Sequence, residues 1–399
     1  MYDPVSSFTE FKAKSSHLCG MKRDITDLRI GVLGGGQLGR MMLQSATDFN
    51  LEIHMIDPDP SAPCAKIAHS FVQGDLQDYD AVMAFGKQMD LITIEIEAVN
   101  TDALKALQAQ GKKVFPQPEI IELIQDKRKQ KTFYKANRIP TADFILTENK
   151  AEVAQHRDFL PAVNKLGKGG YDGRGVQVLR SEKDLDKAFE APSLLEKLID
   201  FKKELSVIVA RSASGEVKCF PLVELVFHPQ ANLVEFLFAP AEVSAAIEAE
   251  AQQLAEDVIT KLDMVGLLAV EMFLTQDDQL LVNEIAPRTH NSGHHTIEAN
   301  ITSQFEQHLR AILDLPLGAT DLIKPAAMVN VLGEDDYTGA ARYEGLHELM
   351  AIPGVHLHLY GKKITKPFRK MGHITITDEN TITLKEKALQ VKEILKVKA

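Results

Sequence analysis

The sequence predicts an α/β N-terminal domain, followed by an α+β domain of mostly antiparallel sheets and a small β-rich tail. Three patterns support this division. A β-α-β rhythm runs through residues 28–125, strand-like segments dominate 162–226, and the strand-like segments 354–360 and 372–377 precede a helical pattern at 384–397. The 399 residues are enough for two or three domains, each with its own core.

The N-terminal pattern predicts a parallel, doubly wound sheet. Buried-strand runs alternate with a helical pattern, and the third strand carries Glu95 and Glu97. The predicted elements are strand 28–33, helix 38–49, strand 51–56 and strand 91–96. Residues 1–27 lack clear periodicity, so we expect them to be an extension outside the core.

A glycine-rich turn joins the first strand to the first helix. Gly34, Gly36 and Gly39 fit the G-x-G-x-x-G pattern of dinucleotide sites, and Asp57 stands where a ribose-binding acid would be expected. This pattern would suggest an NAD-dependent oxidoreductase. The alternative is a tight turn that lets the helix N-terminus face some other anion, and the Pro58 that follows Asp57 favours a simple turn.

The middle of the chain predicts the α+β domain. A helix rich in Lys and Arg, residues 126–137, stops before Pro140, and an amphipathic helix follows at 241–262. Between these helices lie the predicted strands 162–165, 175–179, 194–199, 205–209 and 218–226.

Two strand-like runs, 267–274 and 280–286, flank a short polar turn and predict a hairpin. If the turn is centred on its middle bond, Glu271 pairs with Glu284. Directly opposed Cβ atoms lie about 4.5–5.5 Å apart, where two like charges weaken the sheet. A bound cation would reverse that effect, and Mg²⁺ held by carboxylates and nucleotide phosphates is usual at phosphoryl-transfer sites. The alternative is a solvated hairpin with two exposed glutamates.

The residues just beyond this hairpin add a guanidinium and several imidazoles. Arg288 and His290 favour the magnesium interpretation over the solvated hairpin. His290, His294 and His295, with His308, would alternatively suggest a zinc site. The flanking residues indicate a loop, with neither cysteines nor a helical HExxH pattern nearby, so zinc is disfavoured here.

A second glycine cluster, residues 165–175, interleaves glycines with three cations between two strands. Such a segment predicts a flexible flap with many donors that closes over phosphates, although a solvated hairpin loop is the alternative. Tyr171 and Asp172 are unusual in a mere loop. Glu196 and Glu204, on the following strands, are either surface charges or contacts for the adenine edge and the ribose of a nucleotide.

Composition excludes several classes of function. The formal net charge of −11 repels phosphate backbones, so we expect neither nucleic-acid nor membrane binding. The three cysteines, Cys19, Cys64 and Cys219, are too scattered for a disulfide framework or a cysteine metal site. We find no signal-peptide core and no apolar run of membrane-spanning length, and therefore expect a cytoplasmic protein.

The ordered series of these motifs closely resembles a known family. The motifs are Lys165, the Gly-Tyr-Asp-Gly-Arg-Gly flap, Glu196, Glu204, Glu271, Asn283-Glu284 and the run from Ala286 to His294, with Gly-Gln-Leu-Gly-Arg at 36–40 and Arg-Lys-Met-Gly-His at 369–373. They are similar to the ATPase subunits of phosphoribosylaminoimidazole carboxylase, the N5-carboxyaminoimidazole ribonucleotide synthetases of the ATP-grasp superfamily. The similarity covers about residues 28–396.

The resemblance implies a biotin-carboxylase-like ATP-grasp fold. After the extension, it places a Rossmann-like pre-ATP-grasp domain at 28–125, a two-lobed ATP-grasp domain at 126–316 with its flap near 166–175, and a C-terminal β-rich domain at 317–399. The implied reaction joins aminoimidazole ribonucleotide and bicarbonate at the expense of ATP, through carboxyphosphate, in purine biosynthesis. It also implies Mg²⁺ as a cofactor and a homodimer.

The same resemblance implies roles for individual residues. ATP would be bound by Lys127, Lys165, Gly170, Tyr171, Asp172, Gly173, Arg174, Gly175, Glu196, Lys197, Leu198, Ile199, Glu204, His228, Asn283 and Glu284. Mg²⁺ would be held by Glu271 and Glu284. Substrate would be bound by Gln37, Leu38, Glu95, Tyr171, Arg174, Arg288, His290, Lys362 and Arg369. Catalysis would fall to Asp172, Arg288 and His290.

The chain departs from the family pattern at four positions. Lys127 stands where Arg is expected, Ala286 stands where many members of the superfamily have a metal-binding Asn, and Lys366 and Phe368 alter the usual Arg-Pro-Gly-Arg-Lys tail. The formate-dependent glycinamide ribonucleotide transformylases share the first glycine turn and are the nearest alternative function.

Overall fold

The computed structural model describes residues 24–170, 175–228 and 233–399. Within these residues the N-terminal part is a parallel five-stranded sheet in the order β3-β2-β1-β4-β5, flanked by helices. Its elements are β1 Arg29–Leu33, α1 Gln37–Asp48, β2 Glu52–Asp57, β3 Ser70–Gln73, α2 Tyr79–Gly86, β4 Leu91–Ile94, α3 Thr101–Ala109, β5 Lys113–Val114 and α4 Pro118–Ile124. The doubly wound prediction is therefore confirmed. The expected extension lies outside the described residues except for its last four, which include a short 3₁₀ turn at Ile25–Asp27.

The third predicted strand is shorter than expected. β4 ends at Ile94, which pairs with Leu33, the last residue of β1. The Glu95 amide still donates to the Leu33 carbonyl at 2.8 Å, but the chain then leaves the sheet because β1 offers no further partner. Glu95 and Glu97 consequently lie on a loop at the C-terminal edge of the parallel sheet, where ligands of such folds bind.

The central part begins with α5 and a small antiparallel sheet, four strands in the order β6-β9-β7-β8 among the described residues. Asp126 caps α5 by accepting from the Arg128 amide. The elements are α5 Lys127–Ala136, β6 Phe144–Thr147, α6 Lys150–Val153, β7 Ala162–Leu166, β8 Val176–Leu179 and β9 Ser193–Lys197. β7 and β8 form the predicted flap hairpin, whose tip, Tyr171, Asp172, Gly173 and Arg174, lies outside the described residues.

A large antiparallel sheet faces the rest of the chain. Its described strands follow the order β15-β14-β10-β12-β13-β16-β21-β19, with β11 paired to β10. The elements up to residue 312 are β10 Phe201–Arg211, β11 Val217–Cys219, β12 Val223–Phe227, β13 Val234–Ala239, α7 Ala245–Lys261, β14 Gly266–Thr275, β15 Leu280–Ala286, α8 Thr296–Ala299 and α9 Gln304–Ile312. The predicted helix at 241–262 starts later, because Ser244 caps it by accepting from the Ile247 amide.

The C-terminal strands extend this same sheet. β16 pairs with β13, and β21 lies between β16 and β19, so these three strands of the predicted β-rich tail continue the large sheet, while four short strands of the tail pair as two separate two-stranded sheets. The elements are β16 Ala326–Leu332, β17 Gly339–Ala340, β18 Arg342–Glu344, α10 Leu346–Met350, β19 Val355–Leu359, β20 Ile364–Thr365, β21 Lys370–Thr377, α11 Thr381–Ile394 and β22 Lys396–Lys398. None of the helices in the described part of the chain has the length and apolar character to cross a membrane.

The core under the predicted carboxylate hairpin is built by α7. Ala251, Ala255 and Val258 form one buried face of this helix and pack against β10 and β14 through residues such as Val207 and Val270. Each fully buried Val contributes roughly 1.5–3 kcal/mol relative to an exposed one. This packing makes the hairpin a rigid support, with its opposite face available to the cleft.

Candidate active site

Glu271 and Glu284 are paired across the β14–β15 hairpin, as the sequence predicts. The path to that pairing differs from the expected one. Next to the turn, Leu274 pairs with Leu280, so the hairpin is centred on Asp277 and not on the bond between Asp277 and Asp278. A β-bulge between Glu271 and Met272 then shifts the register by one residue and restores the predicted pair. The residue left over in the bulge is Asn283. A bulge re-aims a side chain relative to simple alternation, which allows Asn283 and its neighbour Glu284 to contact lysines on the same side.

The two paired carboxylates differ in electrostatic character. Burial, reinforced by the charges of Glu284 and Glu204, raises the pKa of Glu271 to about 8. Burial acts on Glu284 in the same direction, but the charge and hydrogen bond of Lys127 outweigh it and lower the pKa of Glu284. The two carboxyls therefore differ in how readily they ionise. A positive group placed beside Glu271, as Lys127 is placed beside Glu284, would favour the ionised form of Glu271.

Three lysines converge on the carboxylates beside this pair. Lys165 ion-pairs with Glu196, and its Nζ also donates to Asn283 Oδ1 at 3.0 Å. Lys131 ion-pairs with the other oxygen of Glu196 and donates to Thr141. Glu196 is 3% exposed, yet the charges of Lys165 and Lys131 outweigh the effect of burial and lower its pKa to about 2.

These ion pairs and hydrogen bonds join six side chains into one contiguous cluster. We call it the lysine cluster, and its members are Lys127, Lys131, Lys165, Glu196, Asn283 and Glu284. Lys165 keeps its charge, because Glu196 outweighs the lowering effect of burial and raises its pKa. The Glu284 side chain is 46% exposed, so the cluster opens onto the cleft. Ammonium groups on one side and paired carboxylates on the other are the donor set that a metal-bound polyphosphate needs.

Glu204 lies on β10 opposite Phe273 of β14. Burial raises its pKa to about 7, with the charge of Lys165 opposing the shift. A carboxyl near neutrality accepts or donates hydrogen bonds equally well, as the vicinal hydroxyls of a ribose require. Lys197 and Leu198 continue the strand from Glu196, and their amides donate to the Asp143 and Pro161 carbonyls. Ile199 lies in the link to β10.

Arg288 and His290 leave the hairpin in different directions. Arg288 Nη2 lies 2.8 Å from Glu97 Oε1, which joins the loop after β15 to the N-terminal domain. His290 Nε2 lies 3.7 Å from Glu271 Oε1, and its Nδ1 lies 2.9 Å from the Ser292 hydroxyl. Burial holds the pKa of His290 well below its usual range, with Arg288 and Lys370 adding to the effect, so the imidazole is neutral.

The glycine turn of the N-terminal domain is occupied by the protein's own carboxylates. Glu95 Oε1 accepts from the Leu38 amide at 3.1 Å, and a Cβ on Gly36 would lie 2.5 Å from that oxygen. Asp57 accepts from the Gly35 amide at 2.7 Å. A pyrophosphate cannot share the N-terminus of α1 with two carboxylates. The dinucleotide interpretation of this turn is therefore wrong, and the turn instead positions Gln37 and Leu38 beside Glu95.

Glu95 belongs to the same cleft as the loop after β15. Burial raises its pKa to about 7, and the first opposing influence is the charge of Arg288. Arg288 thus lies near two acidic residues of the N-terminal domain, Glu95 and Glu97. Leu38, whose amide donates to Glu95, lies on the same side of the N-terminal domain, and the shared pocket of Gln37, Leu38 and Glu95 with Arg288 stays a prediction.

The C-terminal residues approach the cleft from a third side. Lys362 Nζ donates to the Lys370 carbonyl at 2.8 Å, and the charge of Lys370 influences both Glu271 and His290. Arg369 donates to the Ile364 carbonyl at 2.6 Å. Hydrogen bonds from Ser61 are the main cause that lowers the pKa of Asp59 in the N-terminal domain, and the charge of Arg369 lowers it further.

The departure at Phe368 has a local structural cost. Phe368 has φ +60°, in the left-handed region that favours the glycine of the family tail. Its ring lies 5.6 Å from that of His228, a predicted nucleotide contact. His228 lines a hollow of about 170 Å³ with Glu235, Asn330 and Lys392. These three residues belong to β13, β16 and α11, whereas the lysine cluster is built on α5, β7, β9 and β15.

The zinc interpretation of the histidines is not supported. His308 Nε2 lies 3.0 Å from the Thr93 hydroxyl, and His290 uses Nδ1 for Ser292. The His294 ring is tilted against that of His373 with centroids 4.7 Å apart, and its Nδ1 lies 3.3 Å from Gln304 Nε2. Within the described ranges these residues do not form a group whose ligand atoms converge. Burial lowers the pKa of His294, His295 and His308, as expected for neutral core histidines.

Several residues of the cleft escaped sequence reasoning. Lys131, Lys370, Glu97 and Gln304 hold predicted site residues in place, and Gln304 binds both the amide and the carbonyl of His290. Lys131 follows Lys127 by four residues, one helical turn, and that spacing was an available signal. Glu97 and Lys370 stand close to the predicted residues Glu95 and Arg369, but no sequence pattern indicates their contacts, and Gln304 lies 14 residues from His290.

The fit of a divalent cation can be judged from Glu271 and Glu284. Their carboxylates are oxygen ligands, which Mg²⁺ prefers, and the two residues are paired directly across the hairpin. The residues present therefore fit a hard cation.

Comparisons with known proteins agree with this geometry. Residues 28–125 match the ribonucleotide synthetase preATP-grasp domain, 132–305 the ATP-grasp domain and 326–387 the phosphoribosylaminoimidazole carboxylase C-terminal domain. The N5-carboxyaminoimidazole ribonucleotide synthase of Bacillus subtilis is 40% identical over 353 residues, 87% of this chain and 90% of the relative.

Two further relatives extend the comparison. The chain is 41% identical to the phosphoribosylaminoimidazole carboxylase of Candida glabrata and spans 63% of that longer protein. The crystal structure of the Aspergillus clavatus N5-carboxyaminoimidazole synthase with ADP and 5-aminoimidazole ribonucleotide superposes with a TM-score of 0.85. It is 34% identical and covers 93% of this chain and 100% of that one.

Proposed function

Because the chain belongs to the N5-carboxyaminoimidazole ribonucleotide synthase family of ATP-grasp ligases, we propose that the cleft between the lysine cluster and Arg288 is its active site. The enzyme carboxylates 5-aminoimidazole ribonucleotide to N5-carboxyaminoimidazole ribonucleotide with hydrolysis of ATP, a step of purine biosynthesis. The residue roles, the metal and the assembly described below are our proposal.

ATP binds with its phosphates against the lysine cluster. Glu284 holds Lys127, while Glu196 and Asn283 hold Lys165, so both ammonium groups are positioned before the phosphates arrive. The adenine lies against the backbone of residues 196–199, and Glu204 takes the ribose hydroxyls. The flap, Gly170 and Gly175 with the four residues between them, closes over the phosphates.

Glu271 and Glu284 would hold Mg²⁺, which when bound would neutralise the phosphate charge that develops during transfer. The observation that supports this assignment is the pairing of the two carboxylates across the hairpin, which offers a cation two oxygen ligands. Asn283, aimed toward the same side by the bulge, supports Lys165 and contributes an amide oxygen next to the metal carboxylates.

Bicarbonate binds between Arg288 and His290. The planar guanidinium holds two oxygens of the anion, and the neutral His290 imidazole, whose Nδ1 accepts from the Ser292 amide, donates its Nε2 proton to an anion oxygen. A bicarbonate oxygen attacks the γ-phosphorus of ATP, the bond to ADP breaks, and carboxyphosphate forms. Its carboxyl carbon is then transferred as CO₂ to the exocyclic amine, and the released phosphate takes up the amine proton.

Aminoimidazole ribonucleotide binds on the opposite side of Arg288. Gln37, Leu38 and Glu95 border its imidazole ring, while Lys362 and Arg369 provide cations for its phosphate. Tyr171, Asp172 and Arg174 complete the pocket from the flap. The approach of Lys370 to Glu271 and His290, and of Arg369 to Asp59, supports a substrate enclosed by all three parts of the chain.

The observation on which the proposal depends most is the in-register Glu271–Glu284 pair beside three lysines. A coupled assay of ADP release tests it. Release should require bicarbonate and should rise strongly with aminoimidazole ribonucleotide, whereas formate with glycinamide ribonucleotide should have no effect. ADP release with formate and glycinamide ribonucleotide in bicarbonate-free buffer would favour the transformylase instead.

We further propose a cytoplasmic homodimer built from the three predicted domains, 28–125, 126–316 and 317–399. The family matches at 28–125, 132–305 and 326–387 support these domain limits. Light scattering on the purified protein measures the assembly.

A further inference from the structure

A second group of metal-ligating side chains lies at the opposite end of the N-terminal sheet from the cleft. Glu52 is the first residue of β2, and His54 follows on the same face of the strand. His69 directly precedes β3, in which Ser70 pairs with His54. These residues mark the N-terminal ends of parallel strands, whereas Glu95 follows the C-terminal end of β4. The length of the sheet therefore separates them from the active site.

The ligand atoms of the three side chains converge. His54 Nε2 lies 3.9 Å and His69 Nε2 lies 3.7 Å from the same oxygen, Glu52 Oε2. All three atoms lie within 4.8 Å of one another, and within the described ranges no other trio of His, Cys, Asp or Glu converges as closely. Tetrahedral ligands about 2.0–2.1 Å from zinc are about 3.4 Å apart. Side-chain movements of a few tenths of an ångström close the difference for the two Glu52 distances, and a movement of at most about 1.4 Å closes it for the two imidazole nitrogens.

The buried member of the group is oriented as a metal-binding histidine is. His54 is 3% exposed, and its Nδ1 lies 2.7 Å from the Ser70 hydroxyl. When Nδ1–H donates to that hydroxyl, Nε2 carries a lone pair directed toward Glu52. Nε2 is buried and has no hydrogen-bond partner among the described residues. A buried nitrogen without a partner beside a carboxylate and a second imidazole indicates a missing ligand.

The other two ligands give an ion access from solvent. The side chains of Glu52 and His69 are 48% and 51% exposed. The plainest alternative is an ordinary ion pair between His54 and Glu52, but the 3.9 Å between His54 Nε2 and Glu52 Oε2 is too long for the hydrogen bond that such a pair would form.

We propose that Glu52, His54 and His69 bind one Zn²⁺ ion, with water as the fourth ligand. Two imidazoles and one carboxylate are a ligand set that zinc takes in preference to Mg²⁺ or Ca²⁺. The ion joins β2 to β3, which is the edge strand of the parallel sheet. Because the ligands converge only in the folded chain, zinc stabilises the N-terminal domain without taking part in catalysis.

The experiment uses full-length protein stripped with a chelator and then titrated with ZnCl₂ or MgCl₂. Calorimetry should find one zinc per chain. Zinc should raise the melting temperature by several degrees, whereas Mg²⁺ should produce no stabilisation that depends on these three ligands. His69→Ala removes an exposed ligand, so it should fold, lose the zinc-dependent shift and retain ADP release. His347→Ala, an exposed histidine on α10, is the matched control and should keep the shift.

Two further measurements distinguish this site from the active-site carboxylates. Zinc bound at those carboxylates would give a shift that disappears in Glu284→Gln, whereas binding at the proposed site leaves that variant's shift intact. Co²⁺ in place of zinc should give the visible absorption of a tetrahedral site in the native protein and in His347→Ala, but not in His69→Ala. A wild-type protein without a zinc-dependent shift, or a His69→Ala protein with an unchanged one, would overturn the proposal.

Discussion

Glu271 and Glu284 face each other across a hairpin, and Lys127 ion-pairs with Glu284. The two carboxylates of the proposed metal site therefore differ in pKa. The charge and hydrogen bond of Lys127 outweigh burial and lower the pKa of Glu284, whereas burial and the charge of Glu284 raise the pKa of Glu271 to about 8. The stability and activity of variants at these positions should therefore differ.

We predict that Glu271→Gln stabilises the protein in the absence of nucleotide. The pKa of Glu271 is about 8 in the folded protein, above the ordinary value of about 4.3 in the unfolded chain. The wild type therefore loses stability as pH rises through this interval, because ionising Glu271 costs more when folded. The variant lacks that loss. Melting temperatures should coincide near pH 4.5 and differ by about 5 °C in favour of the variant at pH 8.5, and equal curves at both pH values would contradict this account.

Glu284→Gln should behave differently from Glu271→Gln. It removes the partner of Lys127 along with a metal ligand, so the protein without nucleotide gains no stability, and ADP release should fall by about 100-fold or more. Glu122→Gln, which removes an exposed partner of Lys105 and Lys129, is the control. Near-normal ADP release by Glu284→Gln would eliminate the metal assignment.

Lys131→Met should weaken ATP binding although Lys131 is only 3% exposed. Without Lys131, both oxygens of Glu196 are left to Lys165, which then yields less readily to a phosphate. A charged hydrogen bond contributes about 1.5–3 kcal/mol, so the KM for ATP should rise between about 10-fold and 100-fold while kcat changes less. Lys129→Met, on the exposed side of the same helix, should leave the KM unchanged. If kcat falls instead and the KM does not move, Lys131 does not position Lys165.

Arg288→Lys should damage turnover far more than nucleotide binding. Lysine keeps the charge but loses the planar fork that holds both Glu97 and a carbonate-like anion. We expect kcat/KM for bicarbonate to fall by about 100-fold, or roughly 2.7 kcal/mol, with ATP affinity within about threefold of wild type. Nucleotide titration and initial rates measure the two effects separately. Parallel losses in both would place Arg288 at the nucleotide instead.

Much of the fold and the site can be predicted from local patterns in the sequence. The parallel N-terminal sheet follows from runs such as Leu91–Ile94, because strands buried on both faces are apolar throughout. The Glu271–Glu284 pair follows from strand period and turn length, which are properties of adjacent residues. The family resemblance added the nucleotide and substrate roles, which periodicity alone does not carry.

Other features were decided by the tertiary structure. Glu95 leaves its strand because β1 ends at Leu33, and the glycine turn that suggests a dinucleotide is filled by carboxylates from elsewhere in the sheet. The asymmetry of the metal pair depends on Lys127, 157 residues away from Glu284. Local sequence determines which residues form a strand or a turn, because backbone geometry repeats over a few residues. Charge state, burial and distant partners depend on packing between elements, so only the folded chain decides which carboxylate is ionised.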